Sequence, residues 1–401
     1  MVRDETSGLS ELARAVARAR IAGLVDVFLE RRAEVCWHLA DGDVKSCEVL
    51  FREGAAVRRN GTLVSGDGLD RPALARLLGV RTRALPPFSA LPFPRSPQIE
   101  RPLPAIPAGW VSVRWGWRWA AVLARRRAVE LYRPELAEIT AADGHRTLTV
   151  WPPPRGVAED RAPKLHGTAA AGKTLVLLAP AASAVLLHEV VGHPLEGDLL
   201  LRGASPWSGS QGERLTSLSL TVTDDPTRTE LPGAFSADDE GEPGQPRALV
   251  ADGVVVGALA DRESASALGV PAGSARRATV HARPRPRISN LVARASDPLP
   301  HPPRHDAAIE VTSLASGTLE PASGAILLHV RTAFALRRGE RVRTLAPFTL
   351  VGSLPKVRAG LLAAAEPTRV AAEPGWCAKD GEVVPTGAVA PWLLLAGLEV
   401  R

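Results

Sequence analysis

Two periodicities of apolar residues organise the first 80 positions of the chain. A helix is predicted from Ser10 to Ala22, with Leu12, Val16 and Ile21 among its apolar positions, and Gly23 is its expected stop. The segments that follow are rich in β-branched and aromatic residues or alternate between apolar and polar positions, and turn residues separate them. This pattern predicts strands at Val25–Arg31, Glu34–Leu39, Lys45–Phe51, Ala55–Arg59 and Thr62–Ser65.

Turn and cap residues complete this N-terminal unit. Asn60-Gly61 is a strong signal for a two-residue hairpin turn between the last two predicted strands. Asp70 is the expected N-cap of a helix that has Pro72 in its first turn and runs to Leu78. Residues 1–80 are therefore predicted to form an α+β unit with one antiparallel sheet.

A proline-rich segment follows. Eight prolines lie between Pro86 and Pro107. Because proline removes a backbone donor and fixes φ, a helix is excluded there, and residues 81–109 are interpreted as an extended linker. A proline-rich ligand for a partner domain is the alternative.

Three tryptophans alternate after the linker. Trp115, Trp117 and Trp119 would place their indoles on one face of a strand. We expect that face to pack against a helix or a dimer partner, and stacking on sugars or bases is the alternative. Residues 110–172 are predicted as a β-rich connecting region that completes the N-terminal domain.

The second half of the chain is rich in short β-like runs with glycine, proline and aspartate between them. Strands are predicted at Leu218–Val222, Ala248–Val250, Val254–Leu259, Ile326–Val330 and Arg341–Leu345. Five acidic residues lie in the turns. Their spacing in the sequence is wider than a calcium site requires, so we interpret them as structural. A role in contacting substrate is the alternative. The five residues are Asp224, Asp225, Asp238, Asp239 and Glu240.

The composition is that of an ordinary globular protein. The 401 residues are 45% hydrophobic and 23% charged. Lysine and arginine exceed aspartate and glutamate by 49 to 43, but the basic residues are scattered, so nucleic-acid binding is not predicted. No signal peptide is visible, and the longest apolar run, Thr174 to Leu187, is shorter than a membrane span. Three cysteines make no disulfide framework, and we expect a cytoplasmic protein without a membrane contact.

One motif carries candidate chemistry. His188-Glu189-Val190-Val191-Gly192-His193 (HExxxH) places two imidazoles around a carboxylate, a combination suited to a divalent metal and to proton transfer from an activated water. The histidines are five residues apart, which is about 140° on a regular helix. They converge only if the helix is distorted, and a π-bulge is the expected distortion. The predicted fold class is thus α+β, with an N-terminal α/β sheet domain and a β-rich C-terminal domain, residues 173–401, that carries the metal-binding helix.

A catalytic zinc site usually has a third protein ligand. Cys36 and Cys47 flank a turn signal on a predicted hairpin and are interpreted as buried small hydrophobes, although a site with His38 stays open. Cys377 lies in a predicted loop, Gly375–Gly381, where Lys379 would favour the thiolate. Composition alone leaves open whether Cys377 is a ligand.

A phosphate-binding loop is the other motif. Residues Gly167–Thr174 match the consensus sequence of that loop. That loop binds phosphate only between a strand and a following helix, whereas Thr174–Leu178 is apolar and β-like. We therefore interpret the segment as a turn, and nucleotide binding is not predicted.

Several blocks of the sequence resemble the TldD/PmbA metalloprotease family. His188–Asp198, HEVVGHPLEGD, is similar to the signature of its TldD-type, metal-binding members. Further similar blocks follow in the family's order from about Lys173 to Arg401. They are Thr221–Asp225, Asp238–Gly241, Leu259–Arg262, Arg285–Asn290 and Cys377–Gly381 followed by Val384, Pro385 and Gly387. Pro194 departs from the family, which usually has a small residue there.

The resemblance implies a function. It implies metal ligands at His188, His193 and Cys377, one zinc ion per chain, and Glu189 as the catalytic base. It further implies hydrolysis of unfolded or short peptides, in proteolysis or peptide maturation, by a homodimer or by a heterodimer with a PmbA-type homologue. The alternative is a catalytically inactive interaction subunit of such a complex, with a structural metal or none.

Overall fold

The computed structural model describes residues 6–41, 43–86, 110–124, 127–134, 137–141, 147–150, 167–367 and 373–401. The predicted linker lies outside these ranges from residue 87 to residue 109. The first part of the chain contains α1 (Thr6–Arg18), β1 (Leu24–Ala40), β2 (Asp43–Arg59), β3 (Thr62–Asp67), α2 (Arg71–Leu78), a 3-10 turn (Thr82–Ala84), β4 (Trp110–Ala124), β5 (Arg127–Pro134), β6 (Ala137–Ala141) and β7 (Thr147–Val150). The strand order is β3-β2-β1-β4-β6-β7, with β5 also paired to β4.

Two predictions for this sheet are confirmed and one is wrong. Asp70 caps α2 by accepting a hydrogen bond from the amide of Ala73. Asn60-Gly61 forms the turn that connects the antiparallel strands β2 and β3. The predicted breaks within β1 and β2 are absent from the described residues, because each strand pairs along its whole length. Where the breaks were predicted, Arg31 of β1 pairs with Glu53 of β2 across the two strands at 3.0 Å. Helix α1 also begins and ends four residues earlier than predicted.

The two faces of this sheet have different neighbours. Leu12 of α1 and Leu74 of α2 pack with Trp119 on one face, so the expected packing against a helix is confirmed for that tryptophan. On the other face, Phe28 belongs to a cluster with Val280 of the second half of the chain. The first sheet therefore lies between its own helices and the C-terminal region.

The second half contains a six-stranded and a seven-stranded sheet that pack around one short helix. Its elements are β8 (Gly172–Leu178), α3 (Pro180–Leu187), a π turn (His188–Gly192), a 3-10 turn (His193–Leu195), α4 (Gly197–Leu201), β9 (Leu220–Asp224), β10 (Arg247–Ala251), β11 (Val254–Val255), α5 (Arg262–Leu268), β12 (Ala275–Arg276), β13 (Arg285–Pro286), β14 (Asn290–Ala295), β15 (Ile309–Leu319), β16 (Ala325–Arg337), β17 (Glu340–Leu345), β18 (Phe348–Ser353), α6 (Leu354–Gly360), β19 (Leu361–Ala365), β20 (Glu373–Lys379), β21 (Glu382–Val389) and β22 (Trp392–Val400).

The sheets enclose the helix. One has the order β11-β10-β9-β14-β21-β20, and the other runs β15-β8-β22-β18-β16 and closes through pairing of β16 with β15. Leu187 and Val191 share a buried cluster with residues of both sheets. The segment that carries the histidines is thus fixed from two sides. No helix in the described ranges combines the length and apolar character that a membrane crossing requires.

Two local predictions in this half are wrong. Gly375–Gly381 is not a loop, since β20 occupies most of it and pairs with β21. The strand predicted at Val254–Leu259 stops at Val255. Beyond it, Gly257 passes so close to β10 that a Cβ there would lie 2.2 Å from the carbonyl oxygen of Ala248.

Buried ion pairs join the two halves. Glu30 accepts hydrogen bonds from Arg118 at 2.5 Å and from the amide of Val280 at 3.1 Å. Arg118 also contacts Asp239 at 3.1 Å, and Arg58 bonds Glu240. Two of the acidic residues predicted to be structural, Asp239 and Glu240, thus attach the N-terminal sheet.

Candidate metal centre

The predicted helix distortion is confirmed. Helix α3 starts at Pro180, where the missing amide proton costs nothing, and continues into the π turn. The amide of His193 bonds the carbonyl of His188, a wider step than in an α-helix. The Nε2 atoms of the two histidines consequently lie 3.2 Å apart.

Pro194 has a local explanation in this turn. Proline has no backbone N–H, so Pro194 cannot donate a hydrogen bond to the carbonyl of Val190. That carbonyl therefore needs another donor. The indole of Trp207 donates to that carbonyl at 3.0 Å. On the other side, Gly192 lies so close to Ile288 that a Cβ there would be 2.4 Å from Cδ1 and would displace that side chain.

Cys377 reaches the histidines from the edge of the adjacent sheet. Its side chain is completely buried, and Sγ lies 3.8 Å from Nε2 of His193. One donor atom from each of His188, His193 and Cys377 falls within 4.8 Å of the others, and these three make up the cluster of this kind in the described residues. The chain thus brings together donors from two distant segments.

The spacing of these donors fits a tetrahedral ion. With zinc–nitrogen bonds of about 2.0–2.1 Å and a zinc–sulfur bond of about 2.3 Å, tetrahedral ligands lie about 3.3 Å (N to N) and 3.6 Å (N to S) apart. The corresponding separations here are 3.2 Å and 3.8 Å. Three protein donors would leave one position for a substrate or water.

The surroundings favour the thiolate of Cys377. Burial alone would raise its pKa, but the neighbouring His193 and His188 hold it well below the ordinary value. Arg287 donates through Nε to the sulfur at 3.4 Å. Lys379, the predicted cation, instead bonds the carboxylates of Glu196 and Asp198, so that prediction is corrected.

Glu196 orients one of the histidines, a role that the sequence analysis missed. It is completely buried and accepts from Nδ1 of His193 at 3.2 Å, while Lys379 holds its other oxygen at 2.7 Å. A proton on Nδ1 leaves the Nε2 lone pair free to bind a metal. Burial lowers the pKa of His193, but Cys377 and Glu196 raise it well above the ordinary value. The spacing His-x-x-Glu was the available signal.

Glu189 lies beside the donor cluster. Burial raises the pKa of its carboxyl group, and the nearby His188 and His193 oppose that increase. A backbone hydrogen bond at Leu319 also favours the charged form. A half-buried carboxylate with a raised pKa is suited to the role of a general acid and base.

The remaining predicted sites stay apart from this centre. Cys36 is half-buried on β1 and Cys47 is exposed on β2, so the expectation of burial is wrong for Cys47. His38 faces Glu48 at 3.7 Å. The segment Gly167–Thr174 leads directly into β8, which is the wrong context for a phosphate-binding loop.

The acidic turns act through hydrogen bonds to the backbone. One carboxylate, Asp238, accepts from the amides of Glu240, Glu242 and Ala275, each at 2.9 Å. Another, Asp224, accepts from the amide and hydroxyl of Ser289, both at 2.8 Å. These contacts fix the turns around the centre.

Comparisons with known proteins identify the family. A profile of the PmbA/TldA metallopeptidase C-terminal domain matches residues 171–401. The chain is 31% identical over 237 residues to a metalloprotease TldD homologue of Haemophilus influenzae (58% of this chain, 49% of the relative). It is 30% identical over 241 residues to a metalloprotease of Archaeoglobus fulgidus (58% of this chain, 54% of the relative).

Similarity of fold extends further than similarity of sequence. The chain spans about half the length of the curated relatives it matches. The crystal structure of TldE from Thermococcus kodakarensis superposes with a TM-score of 0.67 at 14% identity, covering 98% of this chain and 100% of that one. Because the family profile covers more than half of the residues, the chain belongs to the PmbA/TldD metallopeptidase family.

Proposed function

We propose that this protein is a zinc-dependent peptidase of the TldD type. One observation carries the proposal, namely the convergence of His188, His193 and Cys377 beside the carboxylate of Glu189. Two imidazoles and a thiolate are typical zinc ligands, and one zinc ion per chain is expected. The name metalloprotease, shared by the relatives, supports the same chemistry.

Each residue around the centre would have its own role in the proposed hydrolysis. Bound zinc would polarise the peptide carbonyl and acidify water. Glu189 accepts the proton of the attacking water and returns it to the leaving amine. Glu196 keeps the Nδ1 proton on His193, and Arg287 stabilises the thiolate of Cys377.

Substrate and partner follow from the same proposal. We infer that the substrates are unfolded or short peptides, which could add as a strand to a sheet edge and be bound with little sequence selectivity. The likeness to TldE supports a homodimer or a heterodimer with a PmbA-type homologue. A reducing cytoplasm would keep Cys377 as a thiol, consistent with three unpaired cysteines.

The test combines metal content with cleavage. Zinc content and hydrolysis of an unfolded, fluorescently labelled protein are measured for wild type and Glu189→Gln, alone and with a PmbA-type homologue. We expect about one zinc per chain in both proteins and cleavage by wild type only. Zinc without cleavage in any combination would favour the inactive interaction subunit. Failure of wild type to bind supplied zinc would contradict the metal centre itself.

A further inference from the structure

Strand β2 has an open edge along its outer half. Strand β3 pairs with β2 only from Gly54 to Arg59, and no other strand of the described residues occupies that edge. All eleven residues from Asp43 to Glu53 are exposed. An unpaired edge presents a row of backbone donors and acceptors to which another strand can add. The outer half of β2 is therefore a candidate interaction surface.

One face of this edge is apolar. Val49 and Phe51 lie opposite Val35 and Ala33 of β1, and residues that lie opposite each other share a face of the sheet. The two residues of β1 are completely buried, whereas Val49 and Phe51 are 39% and 57% exposed. The apolar layer of the sheet thus continues to its edge and becomes exposed there.

The other face carries a row of three arginines that ends at the same edge. Arg118 of β4 lies opposite Arg32 of β1, which in turn lies opposite Arg52 of β2. Arg118 and Arg32 both pair with the carboxylate of Glu30, at 2.5 Å and 3.0 Å. Arg52 has no ion pair with any residue that the structure describes, although like charges opposite each other destabilise a sheet. A carboxylate beyond the edge of β2 would compensate its charge.

The sequence of β2 supplies such a carboxylate when two copies pair. Two antiparallel copies of one strand are related by a two-fold axis, and the axis passes through the same residue of each copy because directly opposite residues exchange either two hydrogen bonds or none. With the axis at Leu50, Glu48 of each copy lies opposite Arg52 of the other. On the apolar face, Val49 of each copy then lies opposite Phe51 of the other.

The neighbouring registers are less complementary. An axis at Glu48 would place two glutamates opposite each other, which is destabilising. An axis at Val49 would place Lys45 opposite Glu53, which already pairs with Arg31 at 3.0 Å. The charges therefore favour the first register.

We propose that the protein forms a homodimer in which the outer halves of two β2 strands pair in antiparallel orientation, with Glu48 of each copy beside Arg52 of the other. The paired edges would join the two N-terminal sheets into one, and Val49 and Phe51 of both copies would lose exposed apolar surface. The surface thereby named is that of the homodimer in the proposed function, while the pairing itself requires neither zinc nor peptide hydrolysis.

Analytical ultracentrifugation of the full chain from about 1 to about 100 µM tests the pairing. We expect a monomer–dimer equilibrium in wild type. Glu48→Arg and Arg52→Glu each replace two attractive pairs per dimer by two repulsive pairs, so each should weaken dimerisation at least about tenfold. Glu213→Arg, an exposed charge reversal in the second half of the chain, is the control and should dimerise as wild type does.

A mixture of the two β2 variants tests the register. Positions 48 and 52 are both arginine in Glu48→Arg and both glutamate in Arg52→Glu, so every pair in a mixed dimer is attractive. We expect the mixture to dimerise with about the affinity of wild type, although each variant alone does not. Zinc content should equal that of wild type in both variants, which separates a failure to dimerise from a failure of the metal centre. A monomeric wild type over this range, a dimer that neither variant weakens, or a mixture that stays monomeric would overturn the proposal.

Discussion

Gly317 of β15 lies directly against the side chain of Glu189. A Cβ at position 317 would be 2.8 Å from Cγ of Glu189, closer than carbon atoms approach without displacement. The same Cβ would be 3.0 Å from Cγ1 of Val185 on α3. The glycine therefore sets how close the candidate base can lie to β15.

Gly317→Ala should move Glu189 and leave the metal ligands in place. We expect zinc content to stay at the wild-type value while kcat falls about 100-fold, since misplacing a reacting group by about 1 Å costs that much. Gly66→Ala is the control, because its new Cβ would meet only ordinary contacts with Leu77. Unchanged kcat in Gly317→Ala would show that Glu189 tolerates the displacement.

Glu196→Gln should weaken zinc binding. The amide no longer carries the charge that favours a proton on Nδ1 of His193, and it loses the ion pair with Lys379. Loss of such an outer partner typically costs about 10–100-fold in metal affinity. Competition with a chromogenic chelator measures the affinity, and exposed Glu213→Gln serves as the control. Equal affinities would remove Glu196 from the centre.

Metal removal should destabilise the fold through the same residues. If zinc binds only the folded state, free zinc at 100 times its Kd adds about 2.7 kcal/mol to the free energy of unfolding. A chelator should therefore lower the Tm of wild type. It should have little effect on Cys377→Ala, which lacks one donor. A chelator shift of equal size in both proteins would argue against this site.

Trp207→Phe tests the explanation for Pro194. The variant leaves the buried carbonyl of Val190 without its donor, which we expect to cost about 1–3 kcal/mol in the free energy of unfolding. Urea denaturation measures the loss, and Trp392→Phe, half-buried elsewhere, controls for the change of ring. Similar losses in the two variants would mean that the hydrogen bond contributes nothing specific.

Glu30 should make the free energy of unfolding depend on pH in the acidic range. Burial raises its pKa, but Arg118 and Arg32 outweigh burial and hold the folded-state pKa below the ordinary 4.5. Its stabilising contribution is therefore present above about pH 4.5 and is lost as pH falls through the lower folded-state pKa. Urea titrations at several pH values should show a smaller acid loss in Glu30→Gln. The variant should already be weaker at pH 7 by about 3–5 kcal/mol, because it leaves Arg118 partly unpaired.

The sequence predicted those features that depend on neighbouring residues. Asn60-Gly61 and the cap at Asp70 act within a few positions, and the five-residue spacing of His188 and His193 requires a wider turn. Cys377 was misplaced in a loop although Asp380-Gly381 is the same kind of signal as Asn60-Gly61. Both pairs have positive φ, 50° and 80° at Asp380 and Gly381, as two-residue hairpin turns require.

Other features depend on contacts that are distant in sequence. Glu30 and Arg118 are buried charges whose partners include the amide of Val280 and the carboxylate of Asp239, both far away in the sequence. The role of Glu196 likewise depends on Lys379, 183 positions away. Local patterns carry no information about such pairs, so the attachment of the two halves could not be derived from them.

The separation between the donors has a consequence for synthesis. His193 and Cys377 are 184 positions apart, and β20 can pair only when β21 has been made. At about 5–20 residues per second, the ribosome takes tens of seconds at the slower rate, and about ten at the faster, to pass from one donor to the other. A nascent or prematurely terminated chain thus holds the two histidines without their thiolate. The three-donor cluster of the candidate metal centre is therefore incomplete until the last strands have been made.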